Sequence, residues 1–243
     1  MERDFYAEYY EIEDRHWWFL GRRAIFTRIL DRRLGPSDDR RILDVGCGTG
    51  TMVRELARYG RVEGVDADPE AVAFCRERGL RNVRQVDGEA ALPFESGSFD
   101  LVTALDVIEH VDDDDAMLRE LARVLIPGGL LLVSVPAYRF LWGAQDEIAH
   151  HKRRYVRRDL RARLEGAALA VERLSYFNTL LFPPIAAIRL LRPPARGDPR
   201  SDFELTRPGR VNDLLARVLA AEAPLVERFD LPFGVSILGL ARR

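Results

Sequence analysis

Apolar residues in this chain fall into short runs, separated by stretches where they recur every three or four positions. Ile42-Leu43-Asp44-Val45 makes the first run and ends in three alternate glycines, Gly46, Gly48 and Gly50. Helical spacing over 52–59 follows, then a second run at 62–65 closed by Asp66. Pro69 suits the first turn of the next helix, and Asp68 before it has the side chain to cap that helix. Val83 to Val86 marks a third run ending at Asp87, residues 99–105 a fourth, and 130–135 a fifth, preceded by a helical pattern at 116–125. Short apolar runs alternating with helices predict a parallel sheet covered on both faces.

Three regions lie outside this alternation. Residues 5–30 are aromatic at Phe5, Tyr6, Tyr9, Tyr10 and His16-Trp17-Trp18-Phe19, with helical spacing continuing to Leu30. They read either as a helix packed on the sheet edge or as a lid. Residues 138–163 hold Trp142, Asp146, His150, His151, Arg154 and Tyr155, with a helical pattern from 159 to 169. Residues 177–191 are apolar, too short for a membrane span, and interrupted by Pro183-Pro184 and Arg189. Three readings stand for them: a buried cap helix, a wall for an acceptor's apolar tail, or an interfacial membrane segment. Residues 192–210 read as a mobile loop, 211–221 as a helix, and 171–176 and 235–241 as the last two strands.

Composition narrows the class. At 243 residues and 47% hydrophobic the chain can bury a full core. A net charge of −2 gives no reason to seek nucleic acid. Cys47 and Cys75 make no disulfide framework, and the charged N-terminus lacks a signal-peptide core, so the cytoplasm is expected. The acidic run at 112–115 reads as a solvated cap of the following helix. No set of residues has convincing metal-ligand spacing, and no metal is expected.

The chemistry starts at the glycines. A strand, a glycine turn and a helix let backbone approach a ligand closely, and an acid closing the second strand suits two ribose hydroxyls. The cofactor therefore carries a nucleoside. A dinucleotide fingerprint places its third glycine after two residues; here it follows one, and Thr51 stands where that pattern wants glycine.

In this spacing, in Val-Glu-Gly-Val-Asp66, in Val83 to Phe94 and in Ser98 to Val111, the chain resembles the class I S-adenosylmethionine-dependent methyltransferases. Pro127-Gly128-Gly129 and the following strand extend the match over roughly residues 40–136. The resemblance implies a three-layer α/β Rossmann-like sandwich with a seven-stranded, mostly parallel sheet in the order 3-2-1-4-5-7-6, strand 7 antiparallel. It implies S-adenosyl-L-methionine as methyl donor. His-Trp-Trp-Phe further resembles a bacterial subgroup associated with glycan and lipid pathways. The expected organisation is an aromatic helical lid at 1–36, a donor-binding core at 37–176 with an acceptor-side segment at 137–165, a helical cap insertion at 177–234, and the final core strand at 235–243.

Carried onto this sequence, Gly46, Cys47, Gly48 and Gly50 approach the methionine part, and Asp44 steadies the glycine loop or the donor's amino group. Asp66 with Ala67 holds the ribose, and Asp87 the adenine, with Gly88 and Glu89 alongside. Leu105 and Asp106 lie at the sulfonium end. His150, His151 and His110 are the candidate bases for an acceptor hydroxyl, imidazole titrating near neutrality; each could instead pack, cap or face water. Tyr10, His16, Trp17, Trp18, Trp142, Arg154 and Tyr155 are candidate acceptor contacts. The arginines of 152–163 form a solvated helix face or hold a phosphate or carboxylate. The expected activity is O-methylation of a small-molecule, sugar or lipid-linked acceptor; the alternatives are a noncatalytic donor-binding protein working with a partner or at a membrane surface, and a nicotinamide oxidoreductase.

Overall fold

The computed structural model describes residues 3–88, 91–191 and 209–243; Glu89 and residues 192–208 of the expected loop lie outside them. Two helices come first, α1 (Arg3–Ile12) and α2 (Trp17–Arg33). The helical spacing over 5–30 thus breaks at 13–16, where the His16 side chain caps α2 by accepting the Trp18 N–H at Nδ1, 3.3 Å. The central part alternates β1 (Arg41–Val45), α3 (Thr51–Leu56), β2 (Arg61–Asp66), α4 (Pro69–Glu77), β3 (Val83–Gln85), β4 (Phe99–Leu105), α5 (Asp114–Val124) and β5 (Leu125–Pro136). Then come α6 (Ala144–Ile148), α7 (Arg157–Gly166), β6 (Ala170–Phe177), α8 (Phe182–Leu191), α9 (Arg210–Ala220), α10 (Ala223–Arg228) and β7 (Ser236–Arg242). Asp68 caps α4 through the Glu70 N–H at 2.9 Å, and Asp113 caps α5 through that of Ala116 at 2.8 Å.

One sheet runs β3-β2-β1-β4-β5-β7-β6. β7 is antiparallel to both neighbours and the remaining pairs are parallel. This is the expected architecture. Neighbouring residues on a strand face opposite ways, so Leu43, Val102 and Leu131 enter one apolar cluster while Ile42, Leu101 and Leu130 enter the other. Burying a Leu, Ile or Val side chain contributes about 1.5–3 kcal/mol, which is why continuous apolar runs settle at the sheet centre.

The second cluster also takes Ile25, Phe26, Ile29 and Leu30 from α2, with Leu219 of α9 and Val226 of α10. α2 therefore packs against the sheet layer, while its first turn and α1 reach over the strand ends. Asn212 of α9 ties that junction: its Oδ1 accepts the Trp17 N–H at 2.7 Å and its Nδ2 donates to the Arg15 carbonyl at 2.9 Å. α8 contains no buried residue. Reading 177–191 as a buried cap helix is corrected on that ground.

Candidate functional site

A cavity of about 780 Å³ opens along the carboxyl ends of β1, β2 and β4. The loop after β1 makes one wall. Gly46, Gly48 and Gly50 have φ of 66°, 54° and 92°, conformations that side chains with a Cβ resist. At Gly46 a Cβ would stand 2.5 Å from Val107, whereas at Gly48 it would meet nothing within 4 Å. Gly50 is set back from the cavity, caps α3, and leaves room for Leu80 and Cys75. Its assignment as a ligand contact is corrected: it shapes the turn from behind. Cys47 lines the wall, its sulfur 4.0 Å from that of Cys75.

Asp66 closes β2 and is buried, Oδ2 accepting the Gly48 N–H at 2.8 Å and Oδ1 that of Asp68 at 3.0 Å. Those bonds fix the carboxylate against the glycine loop and present it to the cavity. Ala67, Asp87 and Gly88 line the adjoining end, with Ala67 and Gly88 so close that a Cβ on the glycine would be 2.9 Å from Ala67. Deeper in, Asp44 is 2% exposed, and Thr103 Oγ1 donates to it at 2.5 Å. Burial pushes its carboxyl up to about 7, against the Thr103 hydrogen bond.

Leu105 ends β4, and Asp106, the next residue, adopts φ 59°. Its Oδ1 accepts from Ser134 Oγ at 3.0 Å, and its Oδ2 pairs with Arg22 of α2 at 2.5 Å. Arg22 in turn lies over the rings of Trp18 and Phe26. Tyr6, Tyr9, Trp17, Trp18 and Phe19 complete the aromatic side of the cavity. An ionic clasp holds this cover down: Glu13 bonds Thr49 and pairs with Arg78 at 2.8 Å, and Asp14 pairs with Arg78 and Arg54 at 2.8 and 2.5 Å.

The opposite end is built from the loop after β4 and the segment around α6. Glu109 is completely buried, and neither carboxylate oxygen has a hydrogen-bond partner. His110 and His151 stand edge to face with centroids 4.7 Å apart. Burial, with His151 alongside, brings His110 down to about 4, so its ring is neutral at physiological pH. His151 Nδ1 bonds Asp146 Oδ1 at 2.8 Å. Asp146 is fully buried and also receives Arg154 at 2.7 and 2.9 Å, the Gly143 N–H at 2.7 Å and Arg189 of α8 at 3.3 Å. Although burial alone would raise it, these donors hold the Asp146 carboxyl well below the usual range. His150 has φ 54° and is exposed at the rim.

A methyltransferase-domain family matches residues 43–133. A ubiquinone biosynthesis O-methyltransferase of Xanthomonas oryzae pv. oryzae is 36% identical over 154 residues, which are 56% of this chain and 64% of that protein. The enzyme of the same name from Xanthomonas axonopodis pv. citri is 35% identical over 162 residues, covering 59% of this chain and 67% of its own length. The chain belongs to the class I S-adenosylmethionine-dependent methyltransferases. An S-adenosylmethionine-dependent methyltransferase structure from Mesorhizobium loti shares the fold, with TM-score 0.60, 19% identity and coverage of 90% and 98%. The chain spans less than two thirds, 64%, of the first of these relatives.

For a methyltransferase of this class the cavity fits the donor. It has an open glycine wall at Gly48, a fixed carboxylate at Asp66, further acids at Asp44, Asp87 and Asp106, and aromatic faces that suit a sulfonium cation. His16, Trp17, Trp18 and Arg154 line the cavity, as do His110, His150 and His151. His16 spends Nδ1 on the α2 cap, and burial brings it down to about 4.

Three candidate acceptor contacts do not reach the cavity and are corrected. Tyr10 stacks on Phe74 at 4.7 Å beneath Arg78. Trp142 donates to Glu147. Tyr155 is buried, its hydroxyl on Asp114 at 2.7 Å. Glu89 lies outside the described residues.

Sequence reading did not name Arg22, Glu109 or Asn178, all of which line the cavity; Ile185 and Ile188, also in its lining, fall in the 177–191 stretch for which an acceptor wall was one reading. Asn178 is wholly buried at φ 59°, and neither atom of its amide is hydrogen-bonded. Of those three, Glu109 carried a signal, being adjacent to His110 in the loop after an expected strand.

Proposed function

We propose that this chain methylates an oxygen of a small-molecule acceptor that has an apolar portion, using S-adenosylmethionine. The observation that carries this reading is one continuous cavity from the Gly48–Asp66 wall to Glu109, His110, His151 and Asn178. The O-methyltransferase relatives support oxygen as the target. Asp66 would hold the ribose hydroxyls, Asp87 the adenine, and Asp44 the donor's ammonium, while Arg22 is the cation at hand for its carboxylate. When bound, the donor supplies a methyl group on a sulfonium leaving group. The residues contribute proximity and exclusion of water, which supply much of the acceleration in such displacements.

Asn178 offers a donor and an acceptor to a polar substituent of the substrate, and Ile185 and Ile188 form the greasy wall. The acceptor oxygen would lie at the Glu109–His110–His151 cluster, where Asp146 fixes the His151 ring. Among the described residues no helix is long and apolar enough to cross a membrane. Exposed Leu180, Ile188, Leu190 and Leu191 on and before α8 support peripheral contact with a lipid surface at the cavity mouth, and buried Cys47 and Cys75 with free thiols support a cytoplasmic location.

The test is release of S-adenosylhomocysteine and mass-detected methyl incorporation, across hydroxylated aromatic, sugar and lipid-linked acceptors. Donor binding with methylation of one hydroxyl class supports the reading. Failure to bind either form of the donor overturns it.

A further inference from the structure

We propose that Glu109, His110 and His151 form a binding site for a divalent transition-metal ion, zinc above all, next to the methyl-donor site. One ligand atom from each of the three residues lies within 4.8 Å of the others. The spacing that argued against metal in the sequence misses this set, because His151 comes from the segment after β5 and meets the other two only in the fold.

Proximity alone would be weak. Two independent features make the set a built site. The first is Glu109, whose carboxyl group is completely buried at the cavity wall with both oxygens unpartnered. Ionising a carboxyl group buried in this way without a counter-charge would cost several kcal/mol, which a bound cation would offset, and neighbouring guanidiniums have other duties: Arg22 pairs with Asp106, and Arg154 forks onto Asp146.

The second is the way both imidazoles are held from behind. His151 Nδ1 bonds the buried Asp146 carboxylate at 2.8 Å, and the His110 ring bonds the Ala149 carbonyl. A ring with one nitrogen so engaged has a fixed tautomer and keeps a lone pair on the other. Carboxylate or carbonyl support of this kind is what metal-bound histidines use. Asp146 is itself locked by Arg154, Arg189 and the Gly143 N–H.

Two imidazoles and one carboxylate suit zinc or a similar ion, whereas magnesium and calcium want mainly oxygen ligands. Three protein ligands leave a coordination position open to the cavity, the arrangement of catalytic rather than structural zinc sites. Resting on the methyltransferase reading, the inference gives the cluster a definite task. The acceptor hydroxyl takes the open position, becomes more acidic, and loses its proton to water at the cavity mouth. Its oxygen pair then forms the bond to the methyl carbon as the carbon–sulfur pair returns to sulfur.

The experiment uses the full chain stripped with a chelator. Zinc is titrated by calorimetry in competition with a chromogenic chelator, and cobalt is added separately to read visible absorption. Wild type should bind one zinc at micromolar or tighter Kd and give an intense cobalt band. Glu109→Gln should weaken zinc about 100-fold or more, since loss even of a residue supporting a ligand costs 10–100-fold, and should lose the band. Its unchanged affinity for S-adenosylhomocysteine would show that the variant is folded; His110→Asn is the second variant should it not be. No zinc bound by wild type, or equal binding by wild type and Glu109→Gln, overturns the site. Donor binding and methyl transfer that continue in chelator without zinc would leave the enzyme reading intact and remove the metal. Zinc bound by a protein that takes no donor would do the reverse.

Discussion

In its proposed role, Asp44 should make donor binding depend on pH in a direction its burial sets. It is almost fully buried, Thr103 donates to it at 2.5 Å, and burial pushes its carboxyl up to about 7. If the carboxylate receives the donor's ammonium, binding requires the ionised form. At pH 5.5, about 1.5 units below that value, only about 3% is ionised, and forcing ionisation costs about 2 kcal/mol. Donor affinity should therefore rise roughly 25-fold between pH 5.5 and 7.5, a window in which the ligand's own amino group stays largely protonated. His16 and His110, both at about 4, do not titrate there. Calorimetry with S-adenosylhomocysteine should show the same slope, because the ammonium is common to both ligands, and Asp44→Asn should flatten it. The sign for stability is opposite. A carboxyl raised from 3.8 to about 7 on folding contributes stability below its unfolded value, which is lost as pH rises between the two. At pH 8 the unliganded wild type should thus be less stable than Asp44→Asn by an amount on the order of 4 kcal/mol. A wild-type affinity that falls with pH would mean that protonated Asp44 serves as a donor through its hydroxyl, and a profile shared with Asp44→Asn would remove the residue from ligand binding altogether.

Asp66→Ala should raise the donor Kd by about 30-fold or more, corresponding to about 2 kcal/mol for hydrogen bonds to a charged acceptor; an unchanged titration would refute its ribose role. Gly46→Ala combines a φ of 66° with a Cβ 2.5 Å from Val107, so strain of about 1–3 kcal/mol should appear as lost donor affinity, read by the same calorimetry. Asp146→Asn leaves Arg154 buried without its counter-charge and should cost about 3–5 kcal/mol in urea unfolding. Asn178→Leu should raise KM for the acceptor and leave the donor Kd alone, and a shift confined to the donor would place the amide elsewhere.

What the sequence disclosed, and what it hid, follow from the range of the interactions. β1, β2 and β4 are legible because apolar runs buried on both faces have one stable home, the middle of a parallel sheet. The glycine loop is legible because three residues at positive φ leave a local trace. The break between α1 and α2 is not, since His16 looks like one more aromatic until its Nδ1 is seen to cap the next turn. The acceptor side is harder still. Asp146, Arg154 and His151 are neighbours in the chain, but their partners His110 and Arg189, and Glu109 beside them, arrive from the loop after β4 and from α8. Tyr155 illustrates the converse, a polar aromatic in the right stretch whose hydroxyl is turned to Asp114 in the core. A donor site recurs in sequence because backbone turns build it. An acceptor site assembled from side chains of distant elements can be recognised only once the fold has brought them together, which is why the unpartnered carboxylate of Glu109 gave no sign in the chain of what surrounds it.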